Sequence, residues 1–276
     1  MDERIYLARA ALHMWEEPCI SGTKGSGAVF FSGCGLRCCF CQNHDIAIGS
    51  RGRAVSVERL GEIFLELKEK GAANINLVTG AHYVPQIIEA LDMARRNGLD
   101  IPVVYNSSGY EKTETLKLLE GYVDIYLPDL KYLDPELAQK FSYAPDYVQA
   151  TKAAIGEMVR QTGKCEFGED GYIRKGTIVR HLILPGHTGN SIKALRYLHE
   201  TYGEDIYISI MNQYTPVRKF VEFKELNRKV TKREYEKVLD AAVDMGIQNG
   251  FIQEGETASE SFIPDFDYEG VEKNTP

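Results

Sequence analysis

The sequence predicts an α/β fold, an open partial (β/α)6 barrel, on three observations. Six short runs rich in Val, Ile and aromatic residues alternate with segments of helical periodicity, and strands separated by helices imply parallel pairing with right-handed crossovers. The 276 residues, 43% hydrophobic and 26% charged, suffice to bury the core of one large domain. A polar or glycine-bearing turn follows nearly every strand, where a parallel α/β barrel places its ligands. A doubly wound sheet shares the alternation and is the alternative architecture.

Ile5, Ala8, Leu12 and Trp15 recur at helical spacing and predict a helix over 4–15, ended by Pro18. Residues 1–27 therefore read as an amino-terminal helix and loop. The glycine-rich stretch 21–27 lacks the Gly-Lys-[Ser/Thr] ending of a phosphate loop and reads as a connector. Residues 28–31 form the first strand, leading into a cysteine-rich loop. Ser56 caps a helix over 56–70 that stops at Gly71. Strands follow at 75–79, 101–105, 123–127, 177–184 and 206–211, with helices at 85–97, 111–120, 135–141, 147–161 and 191–202. Thr231-Lys232-Arg233-Glu234 is a capping box opening a last helix to Met245, and 250–253 reads as a seventh strand. No linker, repeat or low-complexity segment interrupts the pattern, so 1–276 reads as a single domain. Its tail, 255–276, is acidic and aromatic, with Glu256, Glu260, Phe262, Asp265, Phe266, Asp267, Tyr268, Glu269 and Glu272. Two placements are open for it, wrapped along the domain or covering the site.

Lys and Arg total 32 against 40 Asp and Glu, a net charge of −8, so no general nucleic-acid binding is expected. No apolar run reaches the length of a membrane span, and Met1-Asp2-Glu3-Arg4 is not followed by a signal sequence. A cytoplasmic protein with reduced thiols is expected. Four of its six cysteines crowd into residues 34–41, and Cys34, Cys38 and Cys41 have the spacing C-x3-C-x2-C. Three thiolates on one loop suit three irons of a 4Fe-4S cluster, and the fourth iron is left open to a substrate or cofactor. A structural zinc knuckle and a cluster of reduced buried thiols are the alternatives. Zinc would want further ligands; His181 and His187, spaced H-x5-H, lie far along the chain. A disulfide framework is not needed at this size.

The strand ends supply the other candidates: Thr79, Gly80 and His82; Asn106, Ser108 and Gly109; Asp129 and Lys131, which share one face of an extended chain; Arg180; and Gln213 with Tyr214. Each has a structural alternative. The glycines suit tight turns, Asn and Ser satisfy backbone groups, Asp129 and Lys131 suit a structural ion pair, and Tyr214 suits a packed aromatic.

The cysteine spacing, with Phe40 before the last cysteine, resembles the radical S-adenosylmethionine (SAM) superfamily. The stretches 27–43, Asp129-Leu130-Lys131 and 178–186 look like successive motifs of the glycyl-radical-enzyme activating enzymes, such as the pyruvate formate-lyase activating enzyme. Trp15-Glu16-Glu17-Pro18-Cys19 together with Cys41-Gln42-Asn43 is similar to an iron-sulfur group related to that activase. The resemblance covers roughly residues 15–215. It implies the radical SAM partial barrel, with Cys34, Cys38 and Cys41 binding the 4Fe-4S cluster and Phe40 lying near adenine. Asp129, Lys131, Arg180 and Leu182 would contact SAM, and Thr79, Gly80, Asn106, Ser108 and Gln213 complete the cofactor-binding set. It further implies a flavodoxin- or ferredoxin-type electron donor, and reductive cleavage of SAM to a 5'-deoxyadenosyl radical that abstracts hydrogen from a protein or peptide, a glycyl-radical enzyme among the targets. No residue is assigned a catalytic role beyond these.

The chain also departs from the activases. Thr79-Gly80-Ala81 lacks the acid of their Gly-Gly-Glu, Asn106-Ser107-Ser108-Gly109 replaces Asp-Thr-Asn-Gly, and Tyr214 stands where a His is expected. A small-metabolite substrate is the alternative enzyme reading, and an electron carrier or metal-bound interaction protein the non-enzymatic one.

Overall fold

The computed structural model describes residues 4–253 and 264–273. The chain runs β1 (Ile5–His13), α1 (Pro18–Ser21), β2 (Ser26–Phe31), α2 (His44–Ala47), β3 (Arg53–Val55), α3 (Val57–Glu69), β4 (Ile75–Val78), α4 (Val84–Arg96), β5 (Val103–Ser107), α5 (Thr113–Leu118), β6 (Ile125–Pro128), α6 (Pro135–Ser142), α7 (Tyr147–Thr162), β7 (Glu166–Phe167), β8 (Ile173–Leu182), α8 (Thr188–Tyr202), β9 (Tyr207–Met211), α9 (Lys232–Asp244) and β10 (Gly250–Ile252). Three helices carry side-chain caps at their starts. Ser56 accepts the Arg59 amide at the head of α3, Asp134 accepts that of Glu136 at α6, and Thr231 and Glu234 close a capping box at α9.

One sheet holds the strands in the order β10-β9-β8-β6-β5-β4-β2-β1-β3 and stays open, with β7 attached to β8. Every pair from β2 through β10 along this path is parallel. Alternation decides what each face buries. On β4 and β5, Ile75, Leu77, Val103 and Tyr105 meet Leu60, Phe64 and Leu67 of α3, Ile87 and Leu91 of α4 and Met158 of α7. On the other half of the sheet, Val179, Ile208 and Ile210 meet Leu195 and Leu198 of α8 and Val238 of α9. The inward residues Val104, Ile125, Leu127 and Ile178 converge on one another and on Cys19 and Ile20 of α1. The sheet therefore curls around an interior that α1 plugs, a partial barrel rather than a doubly wound sheet.

The helix expected over 4–15 is instead β1, antiparallel to both β2 and β3. Its register slips between Leu7 and Arg9. Ile5, Leu7 and Ala10 face α3, whereas Ala8 faces Ala28 and Phe30. A bulged strand covered on both sides loses its period-two pattern, and its apolar residues then fall at helical intervals by accident.

Of the acidic tail, Glu256, Glu260 and Phe262 lie outside the described residues. Over residues 265–270 it lies along β1: the Tyr268 amide donates to Ala8 O at 3.1 Å and the Ala10 amide to Glu269 O at 2.8 Å. Arg9 binds the Asp267 carboxylate at 2.7 Å and pairs with Glu269. Gly270 (φ +70°) is required here, because a Cβ would stand 2.0 Å from Ala10 O. Among the described residues no helix is long and apolar enough to cross a membrane.

Candidate active site

Inside the barrel lies a cavity of about 530 Å³, within the usual range for small-molecule sites. It brings together Cys34, Cys38, Phe40, Cys41, Thr79, Asn106, Ser108, Asp129, Lys131, Arg180, Leu182, Gln213 and Tyr214. Of the sequence candidates, His82 and Gly109 are not among its lining residues, and neither is Gly80. It starts the short turn Ala81–Tyr83, and a Cβ there would press on Ile87 of α4 at 2.7 Å, so it serves packing. Thr79 has φ +61°, uncommon for a β-branched residue and a mark of a constrained site wall. Gly109 (φ +73°) lets its loop come so close to Asp129 that a Cβ would meet the Asp129 carbonyl at 2.3 Å.

The cysteine loop is held by its own alternate residues. Leu36, Cys39 and Phe40 sink into an apolar cluster with Phe141, Tyr214 and Phe220. Phe40 meets Phe141 and Tyr214 edge-on, at 6.5 and 6.1 Å. The Cys39 amide donates to Phe141 O at 2.8 Å. Cys34, Cys38 and Cys41 are left on the cavity wall. Burial pushes all three thiols up, Cys41 to about 12, and metal coordination would deprotonate them outright. Two of the sulfurs already accept hydrogen bonds: Cys34 Sγ from the Leu36 amide at 3.5 Å, and Cys38 Sγ from Ser142 Oγ at 2.9 Å. Among the described residues no three His, Cys, Asp or Glu side chains converge on a single ion. Three cavity-facing thiols on one loop offer soft donors of the kind an iron-sulfur cluster takes, one thiolate per iron. His181 is buried with Nδ1 donating to Leu130 O at 2.6 Å, and His187 faces Glu225 at 3.6 Å.

Opposite the loop is a charge network. Arg180 Nε donates to Asp129 at 3.0 Å, Nη1 to Glu16 at 3.1 Å and Nη2 to Asn106 Oδ1 at 2.6 Å. Lys131 Nζ takes the other Asp129 oxygen at 2.5 Å. Burial alone would raise the Asp129 carboxyl, yet Lys131 and Arg180 hold it below the ordinary carboxylate range. For Lys131, burial opposes the charge, but Asp129 and the nearby Cys38 outweigh it and raise the ammonium. Tyr147 OH fixes the segment, donating to the Ser108 and Asp129 carbonyls and accepting the Lys131 amide at 2.9 Å.

Glu16 and Glu17 had drawn no role from sequence. They enter the cavity on the connection from β1 to α1. Glu16 Oε1 accepts from Asn76 and Asn106, both at 3.1 Å, while its other oxygen meets Arg180. Among the described residues Glu17 Oε2 is buried without a hydrogen-bond partner, and burial raises its carboxyl against the pull of Arg180. The signal for them was in the chain: Trp15-Glu16-Glu17-Pro18-Cys19 is one of the stretches that carry the family resemblance, with two acids just before a helix-starting proline.

Comparison with known proteins agrees with this geometry. The chain is 28% identical over 244 residues to the uncharacterized protein MJ0674 of Methanocaldococcus jannaschii, covering 86% of this chain and 67% of that one. It is 27% identical over 113 residues to the pyruvate formate-lyase-activating enzyme of Clostridium pasteurianum, covering 39% and 46%. Among solved structures, Streptococcus suis SuiB bound to its precursor peptide SuiA superimposes with a TM-score of 0.54 at 14% identity, over 82% of this chain and 47% of SuiB. The chain thus spans about half the length of that neighbour, which shares its fold. The family model of the radical SAM superfamily matches residues 28–198, from β2 and the cysteine loop into α8. On that match the chain belongs to the radical SAM superfamily, a family of enzymes, with a 4Fe-4S cluster and S-adenosylmethionine as its cofactors.

Proposed function

We propose that this chain reductively cleaves S-adenosylmethionine and takes a hydrogen atom from a protein or peptide, with a glycyl-radical enzyme as one target of that class. Cys34, Cys38 and Cys41 would hold three irons, leaving the fourth for the amino and carboxylate groups of SAM. When bound there, the cluster would supply the single electron that cleavage of SAM requires.

The residues around it bind, orient and exclude water. Phe40, fixed between Phe141 and Tyr214, offers an apolar surface to adenine. Lys131, paired with Asp129 on the cavity wall, would meet the SAM carboxylate. Asp129 has both oxygens taken by Arg180 and Lys131, so it orients these cations. Thr79, Asn106 and Ser108 offer polar groups along the strand ends, Leu182 an apolar wall. Gln213 accepts from Gln42 through its carbonyl at 3.3 Å and from Gln253 through its side chain at 3.1 Å, tying the cysteine loop to β9 and β10.

The observation that carries the macromolecular substrate is the cavity's side. It is lined both by residues 13–18 and by Phe251, Ile252 and Gln253, across the gap where the sheet does not close. Met14, Trp15 and Ile252 on that wall are 46%, 56% and 53% exposed, an apolar border suited to a docked chain. A small-metabolite substrate is the second reading, favoured by the returning tail. Pro264 borders a smaller cavity with Met14 and Trp15, and Phe266 packs on Phe30 at 5.6 Å.

Anaerobic reconstitution and reduction with SAM should yield 5'-deoxyadenosine. Yield that rises with the macromolecular fraction of a cell extract, with a glycine-centred radical by paramagnetic resonance, supports the first reading. A rise only with the small-molecule filtrate supports the second. A fully loaded cluster that gives no 5'-deoxyadenosine in any mixture overturns both.

A further inference from the structure

We propose that residues 212–231, the strap joining β9 to α9, form the docking surface for an acidic one-electron carrier protein, seated over the cysteine loop. The inference rests on the assignment of Cys34, Cys38 and Cys41 to the cluster. Aromatic side chains bind the strap to that loop. Tyr214 packs on Phe40, Phe223 meets Phe141 at 5.2 Å, and Phe220 and Leu226 are buried in the same cluster as Cys39 and Phe40. Cations stand on these rings: Lys140 Nζ lies 4.9 Å from the Phe141 ring and 5.1 Å from that of Phe223, and the Arg218 guanidinium 5.3 Å from Phe220.

The strap carries five basic side chains against Glu222 and Glu225, in a chain of net charge −8. Lys219 and Lys224 are exposed beside Arg218. Val221, 83% exposed, stands in the strap between Lys219 and Lys224 in sequence, and Tyr143, 68% exposed, adds a second exposed apolar side chain at the end of α6. Tyr143 directly follows Ser142, whose hydroxyl touches Cys38 Sγ. A basic rim around exposed apolar residues steers an acidic partner and then holds it. Here it does so beside the cysteine loop. A reduced ferredoxin-type carrier loses one electron there and the cluster gains it; no bond is made or broken.

The test titrates the cluster-loaded protein with an oxidised acidic ferredoxin by calorimetry, at low and high salt. We expect affinity to fall with salt, and the double variant Arg218→Glu, Lys219→Glu to weaken binding by about tenfold or more. Iron content, the SAM-induced change in the reduced cluster's resonance spectrum and dithionite-driven 5'-deoxyadenosine formation should stay at wild-type levels. Unchanged ferredoxin affinity in the double variant overturns the proposal. So does binding of anionic vesicles or RNA at this surface with none of ferredoxin. Cys38→Ser separates the underlying assignment: if that variant keeps its full iron content, the cluster reading fails whatever the ferredoxin titration shows.

Discussion

At one end of the cavity three thiols stand on a single loop, each pushed by burial toward its neutral form. At the other, Glu16, Asp129, Lys131 and Arg180 come from three separate segments and are joined in ion pairs at 2.5–3.1 Å. The first end has donor atoms whose charge would be completed by a metal. The second is balanced within the protein, two acids against two bases, with amide donors from Asn76 and Asn106 on the remaining Glu16 oxygen. The difference teaches which end carries chemistry alone and which also carries the fold. A neutral buried thiol can be altered at little cost, whereas a buried charge that loses its partner cannot.

The largest expected effect lies at the cysteine end. Cys38→Ser should abolish SAM cleavage, yet shift the urea unfolding of the metal-free protein by no more than about 1 kcal/mol, since a hydroxyl keeps the bond to Ser142. Destabilisation of several kcal/mol would erase the contrast between the two ends. Arg180→Met is the counterpart. It strands Glu16 and Asp129 among buried groups and should cost about 3–5 kcal/mol of stability, read by the same unfolding curve, besides weakening SAM binding. A loss under about 1 kcal/mol would mean that water enters the network and that the charges are not held as the geometry implies.

The same two ends explain what the sequence could and could not disclose. Cys34, Cys38 and Cys41 are legible because a metal loop is local, with its spacing written in consecutive residues. The parallel strands are legible because helical periodicity alternates with them, and three of the helices carry a side-chain cap, at Ser56, Asp134 and the Thr231–Glu234 box. Asp129, Lys131 and Arg180 could be placed at strand ends by counting, and all three reach the cavity. Glu16 could not be placed: its partner lies 164 positions away, and the strand that delivers it hides its period behind a bulge and two buried faces. Gly80 erred the other way, since its turn position suggests a ligand but its neighbour Ile87 makes it a packing residue.

A third, smaller effect follows from Asp129. Its folded pKa lies below the ordinary value, so the stability it contributes is present above the unfolded value, about 4, and is lost as pH falls through the folded one. Unfolding free energy measured against pH should therefore drop on the acid side below about pH 4. Asp129→Asn should flatten that limb, and Cys38→Ser should leave it in place. An acid limb of equal slope in all three proteins would show that the network contributes no charge-dependent stability.

The smallest effect joins the two designs, because Ser142 brings a polar hydrogen bond to the thiol end. Its hydroxyl lies 2.9 Å from Cys38 Sγ and 2.8 Å from Tyr132 OH, buried at the end of α6. With Tyr132 donating to it, the serine is free to donate to sulfur, and hydrogen bonds to cluster sulfurs stabilise the extra negative charge of the reduced state. Ser142→Ala should leave iron content unchanged and cost about 1 kcal/mol of stability. It should make the cluster harder to reduce, read as a more negative midpoint in a redox titration followed by paramagnetic resonance. An unchanged midpoint would assign the serine to holding α6 against the loop, through the Arg37 and Cys39 amides that donate to the Ser142 and Phe141 carbonyls. In that case the cysteine end would owe nothing to side-chain polarity, and the contrast with the charged end would be complete.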